Sequence, residues 1–154
     1  MEEQLLETWA IHDRINRFVL DAIPLEALSA VSASKGRSVA EQLAHIHNVR
    51  LMWLKQAAPE LLEGLEKIEK EQANEAARLS AALEASGGAI SDLLRQSIRA
   101  GGKVKGFKPH VVAFLGYLIS HESHHRGQIA LTLKQAGFPL DKKIAYGLWE
   151  WGVR

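Results

Sequence analysis

The sequence contains no cysteine among its 154 residues. Disulfide bonds, thiolate metal ligands and a cysteine nucleophile are therefore all excluded. Absence of cysteine is typical of proteins that work in a reducing compartment, and we expect a cytoplasmic protein.

The chain also lacks an excess of either charge and any long apolar run. It has 19 Lys and Arg against 18 Asp and Glu, and no basic block that would indicate nucleic-acid binding. No apolar run approaches the roughly 18 residues that a membrane span needs. The first residues, MEEQLLETWAIHDRINRF, mix charges with apolar positions, unlike a signal peptide. We therefore expect neither a nucleic acid nor a membrane as partner.

Prolines are few, and apolar residues recur at helical spacing between them. Pro24 and Pro59 end apolar-periodic segments, Pro109 begins one, and Pro139 follows the last. No segment alternates at period two, so no strand is expected. The pattern predicts four helices, at 4–23, 39–57, 72–99 and 109–136. The length suits one domain, so we expect residues 1–154 to form a single all-α four-helix bundle.

Three local features refine this prediction. Ser38 followed by Glu41 is the signature of a capping box at the start of the second helix. Apolar spacing keeps its phase across Gly87-Gly88, which favours one continuous third helix, although each glycine costs roughly 1 kcal/mol against alanine. Residues 60–71, ELLEGLEKIEKE, are charged and helix-favouring. We interpret them as a solvated helical connection between the second and third helices.

Histidines are concentrated in the stretch HESHHRGQ, residues 121–128. His121 and His125 are four residues apart, so on a helix they lie one above the other. They share a stripe with Leu118 and Ile129 and should face the bundle interior or its mouth. Two imidazoles from adjacent turns are a common way to hold a divalent metal. The spacing alone leaves a structural or surface cluster equally open.

The same stretch matches the His-Glu-x-x-His signature of zinc proteases, in which the glutamate is the base. Such enzymes take a third ligand from a downstream His or Glu. Here no histidine follows His125, and the only later glutamate is Glu150. No sheet edge is predicted that could hold an extended peptide. We therefore disfavour a protease and expect Glu122 to flank the site or cap a neighbouring group.

Three segments carry a family resemblance: YLISHESHHRGQIALTLKQAGF, SVAEQLAHI and the terminal YGLWEW. Together they resemble the DinB family over nearly the whole chain. The resemblance implies a four-helix bundle with a long crossover connection, often as a homodimer. It also implies one divalent metal held by His45, His121 and His125. His124 matches a family position that is not usually a ligand.

The second helix contains two candidate ligands. Leu43, Trp53 and Leu54 define its apolar side, and His47 lies nearer the centre of that side than His45. Periodicity alone therefore favours His47, whereas the resemblance implies His45. We follow the resemblance, because a site at a bundle mouth need not lie on the midline of the core. His47 is then expected to be partly buried and to donate a hydrogen bond.

Several neighbours are candidates for supporting the metal ligands. Glu41 lies one turn before His45 and could orient its free ring nitrogen, and Gln128 follows His125 by three positions. Arg126 could pair with a carboxylate elsewhere, meet an anionic substrate, or form only an exposed ion pair. Gly127 would allow close helix packing. The aromatic tail YGLWEW is expected to seal the core.

The sequence thus predicts a metal-dependent enzyme with three histidine ligands and an open coordination position. Water or a substrate thiol bound there would lose its proton near neutral pH. The resemblance implies a small-molecule substrate, thiol S-transfer or hydrolase-like chemistry, and a low-molecular-weight thiol as one candidate partner. Zinc or nickel is the expected metal. The alternative is a non-enzymatic stress-response or binding bundle whose metal is structural or vestigial.

Dimerisation is the first testable expectation. Sedimentation velocity at micromolar concentration should show a species of twice the chain mass of 17.0 kDa. Observation of the 17.0 kDa species alone would contradict the homodimer.

Overall fold

Helices make up the regular secondary structure of the computed structural model, which describes residues 1–154. The α-helices are α1 (Glu2–Asp21), α2 (Val39–Ala57), α3 (Ala76–Arg99), α4 (Val111–Gln135) and the short α5 (Lys142–Gly147). There is no β-strand, only two isolated bridges in loops. None of the helices is both long enough and apolar enough to cross a membrane. The predicted all-α class is confirmed, and α1 to α4 match the four predicted helices.

Two local predictions about the helices are confirmed. At the start of α2, Ser38 Oγ accepts from the Glu41 amide at 3.2 Å, and the Glu41 carboxylate accepts from the Ser38 amide at 2.7 Å. Helix α3 is continuous through Gly87 and Gly88, and α1 lies against it at Gly87. A Cβ on Gly87 would lie 2.5 Å from the Asp13 carboxylate, and the Gly87 carbonyl accepts from the Trp9 indole at 2.8 Å. A larger residue at this position would require the Asp13 carboxylate to shift.

The four long helices form a bundle in which α1 and α2 each pack against both α3 and α4. Helix α2 runs antiparallel to α4, since Gln42 contacts His125 while Arg50 contacts Glu122. Helix α2 runs parallel to α3, since its His47 lies near Ala82 and its Arg50 lies near Ser86. Two parallel helices in sequence need a connection that returns along their length. Residues 58–75 form this predicted crossover.

The crossover is not the predicted solvated helix at 60–71. It contains only short 3₁₀ turns at Pro59–Leu62 and Lys70–Gln72. Twelve residues in an α-helix would span about 18 Å, whereas the 19 residues of α2 extend about 28 Å. A more extended chain is therefore needed to return along α2. Ile68 of the crossover is buried in the core. Asn48 of α2 exchanges two hydrogen bonds with the Ile68 backbone, at 2.9 and 3.0 Å.

The core is divided into two apolar clusters, one containing Leu43, Leu83 and Ile129, the other containing Leu54 and Phe114. On each of the four long helices, buried polar side chains lie between the residues of one cluster and the residues of the other. We call these side chains the polar layer. Its members are His12, Asp13, Asn16, Arg50, Ser86, Glu122 and the partly buried Arg126.

Glu122 is the centre of the polar layer. Its Oε1 accepts from Arg50 Nε at 2.7 Å, and its Oε2 accepts from Arg50 Nη2 at 2.8 Å. Oε2 also accepts from His12 Nε2 at 2.8 Å and from Asn16 Nδ2 at 2.6 Å. Burial alone would raise the pKa of the Glu122 carboxyl, but Arg50 and His12 lower it to about 2. The carboxylate is therefore ionised and bound by two other helices.

The buried pair predicts a large loss of stability when either partner is removed. Glu122→Leu and Arg50→Met should each lower the free energy of unfolding by about 3–5 kcal/mol. The first leaves buried Arg50 with Asp13 as its only carboxylate partner, at 2.9 Å, and the second removes the cation that Glu122 and Asp13 share. Urea unfolding followed by circular dichroism would measure this loss. Glu2→Gln, which breaks the exposed pair with Arg99, is the control and should have little effect. Equal losses for the buried and exposed variants would contradict the role of the layer.

Candidate metal centre

Three histidines converge beside the polar layer: His45 from α2, and His121 and His125 from α4. One ring nitrogen from each lies within 4.8 Å of the others. Ring centroids are 4.6 Å apart for His45 and His125, 4.7 Å for His121 and His125, and 5.4 Å for His45 and His121. The structure thus brings together the three residues implied by the family resemblance, in a cluster that could hold a metal ion.

Helix geometry explains why this cluster excludes Glu122. Consecutive helical residues are rotated by about 100°, whereas residues four apart share a face. His121 and His125 therefore point together toward the start of α2, and Glu122 points into the bundle toward Arg50. The zinc-protease arrangement, in which the glutamate faces the metal, is contradicted by this orientation.

A hydrogen bond orients His125 for metal binding. Its Nδ1 lies 2.7 Å from Gln42 Oε1, an atom that only accepts, so Nδ1 carries the proton. The Nε2 lone pair is then free and lies 3.2 Å from His121 Nε2. Two nitrogens bound to one tetrahedral zinc at about 2.0–2.1 Å are about 3.3 Å apart. The observed spacing therefore fits a shared ion.

His121 is poorly satisfied by the protein alone. Its buried Nδ1 has no hydrogen-bond partner, and its Nε2 contacts only another ring nitrogen. Unsatisfied buried polar atoms destabilise a fold. An ion bound by both Nε2 atoms would replace this contact between two ring nitrogens, so the contact is the second observation that fits a metal.

The three rings are uncharged near neutral pH. Burial lowers the pKa of His45 and of His121, and burial together with the neighbouring His121 and His45 lowers the pKa of His125 to about 4. Neutral imidazole is the form that binds metals. A set of three nitrogen donors suits zinc, nickel, copper or iron and does not suit magnesium or calcium, which prefer oxygen.

His47, the alternative favoured by periodicity, lies away from the cluster. It is buried, with Nδ1 3.1 Å from the Ala82 carbonyl and Nε2 2.8 Å from the Glu66 carbonyl. A neutral ring donates to only one of these carbonyls, so His47 attaches α2 to either the crossover or α3 by a hydrogen bond and lies against the other. Periodicity correctly predicts that His47 faces the interior. There its ring nitrogens contact backbone carbonyls and not the other histidines.

The remaining histidines have other surroundings. His12 belongs to the polar layer, and His110 caps α4 by accepting from the Ala113 amide at 3.2 Å. His124 is exposed and lies outside the three-histidine cluster. The prediction that His124 is not a ligand is consistent with this placement.

Two of the predicted supporting residues are wrong. The Glu41 carboxylate is occupied by the Ser38 amide and lies 3.4 Å from Lys70, so it does not orient His45. Gln128 is exposed and makes no hydrogen bond to His125. Gln42 takes that role. Its position three residues before His45 was the available signal, because residues three apart share a helix face.

The other neighbours also differ from expectation. Arg126 lies in the polar layer, where it donates to Asn16 Oδ1 at 2.6 Å and to Ser123 Oγ at 2.8 Å, so it is not an exposed ion pair. Gly127 allows no close packing, since an added Cβ would meet nothing within 4 Å. The tail does not seal the core with its aromatics, because Tyr146 and Trp149 are 71% and 80% exposed.

Zinc affinity of single variants would test the ligand set. His45→Ala, His121→Ala and His125→Ala should each severely weaken zinc binding, measured by competition with a chromophoric chelator. Gln42→Leu should weaken it by about 10–100-fold, because loss of a supporting hydrogen bond typically has that effect. His124→Ala is the matched control and should leave affinity nearly unchanged. Equal losses for His124→Ala and His125→Ala would refute the assignment.

Comparison with known proteins agrees with this geometry. The model of the DinB family matches residues 1–149. A DinB-like protein from Bacillus cereus ATCC 10987 has a similar crystal structure, with a TM-score of 0.67 and 21% identity, over 90% of this chain and 95% of that one. At this identity the likeness shows a shared fold. No curated protein matches. A family match over nearly the whole sequence, together with the bundle and its crossover, shows that the chain belongs to the DinB family.

Proposed function

We propose that the protein is a metal-dependent enzyme in which His45, His121 and His125 hold a divalent cation, with zinc or nickel the expected ion. The observation that supports this most is the His125–Gln42 hydrogen bond, which leaves a ring nitrogen free and aimed at His121. Three protein ligands with one open position are typical of catalytic rather than structural zinc sites.

When bound, such an ion would lower the pKa of a water or thiol at the open position. The chain's own residues hold and orient the ligands. A cavity of about 370 Å³ that His45 lines can admit a small molecule. Glu122 is engaged by Arg50 and offers no general base to the site. We therefore propose chemistry at the open position itself, either transfer of a low-molecular-weight thiol to an electrophile or hydrolysis.

We also propose that the protein is a cytoplasmic homodimer. Tyr146, Trp149 and Val153 expose large apolar side chains near the C-terminus. Exposed apolar patches are frequent at protein interfaces. The sedimentation experiment described above tests the association.

Metal removal tests whether the protein is an enzyme or a bundle with a structural metal. Zinc-loaded and nickel-loaded protein should catalyse reaction of small thiols with an aromatic halide, or hydrolysis of activated esters. His121→Ala should abolish turnover and leave the helical circular dichroism spectrum intact, because the polar layer and apolar clusters hold the bundle. His124→Ala should retain turnover. Unfolding on metal removal, with no turnover of any substrate by the loaded protein, would favour the structural alternative.

A further inference from the structure

The segment between α1 and α2 contains a turn over residues 31–38 that we call the mouth loop. Its ends meet in an antiparallel bridge between Val31 and Ser38. Ser32 Oγ donates to the Lys35 carbonyl, and the Lys35 amide donates to the Ser32 carbonyl, both at 2.9 Å. Lys35 and Gly36 have φ of 66° and 107°, which gives the loop its reversal. The loop therefore has a defined conformation.

The mouth loop is also attached to α4. The Ala33 amide donates to Gln135 Oε1 at 2.9 Å, and Ser38 at the other end caps α2. Arg37 is the residue immediately before this cap, so its backbone is held in place. Its exposed side chain makes no hydrogen bond or ion pair with the rest of the protein. A cation on a fixed backbone without a partner is available to a ligand.

Two cavities meet at Arg37. The front cavity, of about 370 Å³, lies between the mouth loop and the crossover and is lined by Arg37 and His45. The loop cavity, of about 310 Å³, is lined by Arg37 and by Gln42, the residue that orients His125. Arg37 thus shares one space with the ligand His45 and the other with Gln42, the partner of the ligand His125.

Charge in the front cavity is balanced except at Arg37. The cavity is lined by three cations, Arg37, Lys67 and Lys70, and by two carboxylates, Glu41 and Glu69. Lys67 lies 3.3 Å from Glu69, and Lys70 lies 3.4 Å from Glu41. The unbalanced positive charge is therefore that of Arg37.

The loop cavity has no carboxylate at all. Its charged residues are Lys35 and Arg37, and its other polar residues carry hydroxyl or amide groups. A divalent ion on three neutral histidines would add further positive charge. Both cavities therefore carry a net positive charge, which attracts anions and repels cations.

We propose that Arg37 binds an oxyanion of the substrate, so that the site selects small molecules carrying a carboxylate or a similar group near the atom that reaches the metal position. The planar guanidinium offers two parallel donors to such a group. This inference rests on the proposed function, since it assigns the substrate's charge at the same site. Arg37 is a substrate-binding residue here and does not hold the metal.

Cobalt-loaded protein provides a binding assay that does not depend on turnover. A thiolate that reaches the cobalt ion produces a charge-transfer absorption, which can be titrated. The probes are four thiols of similar length: 3-mercaptopropionate, 2-mercaptoethanesulfonate, the neutral 2-mercaptoethanol and the cationic cysteamine. The native protein should bind the two anionic thiols about tenfold more tightly than 2-mercaptoethanol, with cysteamine weakest.

Variants then assign the preference to Arg37. Arg37→Gln should reduce the preference for anions to less than about threefold, and Arg37→Lys should retain part of it. Lys55→Gln is the matched control, because it also removes one exposed cation. Lys55 lies ten residues beyond His45, about 15 Å along α2, and lines neither cavity. It should keep the full preference.

The outcomes distinguish the two proposals. A normal cobalt–thiolate band with equal affinities for anionic and neutral thiols overturns the role of Arg37 and leaves the proposed function standing. An anion preference that survives in Arg37→Gln also overturns the role of Arg37. Absence of any cobalt–thiolate band in the native protein overturns the thiol-transfer form of the proposed function and this inference together.

Discussion

The carboxylate of Glu122, bound by Arg50 in the middle of the bundle, is the interaction on which the rest of the structure depends. It joins α4 to α2 through Arg50, and to α1 through His12 and Asn16. A buried charge is tolerated only where its partners are in place, so this contact restricts how α4 can rotate and slide. Fixing α4 in this way turns the neighbouring His121 toward α2. The candidate metal centre is therefore positioned by a contact that contains none of its three histidines.

This arrangement separates folding from metal binding. Apolar clusters lie on either side of the polar layer, and neither includes the three histidines. The candidate ligands come from only two helices at the mouth of the bundle, and two of them are only half-buried. An ion held there has protein on one side and an accessible cavity on the other. Such a site suits exchange of water and substrate more than it suits a structural metal that stabilises the fold.

The connections form the remainder of the site. Because α2 and α3 are parallel, the chain must cross back along α2, and the returning segment supplies Lys67 and Lys70 to the wall of the front cavity. The mouth loop supplies Arg37 from the opposite side. Rigid helices thus present the histidines, while the two irregular segments supply the charged groups that a ligand would meet. This division is common in enzymes, whose specificity residues are concentrated on loops.

The sequence by itself determined the features that depend on local backbone geometry. Helix positions, the capping box of Ser38 and the pairing of His121 with His125 follow from spacing along one chain segment, because a helix places residues four apart on one face. Tertiary structure decided which residues those groups meet. His45 and His47 are distinguished by what lies opposite each: α4 faces the first, and the carbonyls of Glu66 in the crossover and Ala82 in α3 face the second. Arg50 and Arg37 had no distinguishing local pattern, since their roles depend on which neighbouring elements lie opposite them, which spacing within one segment does not encode.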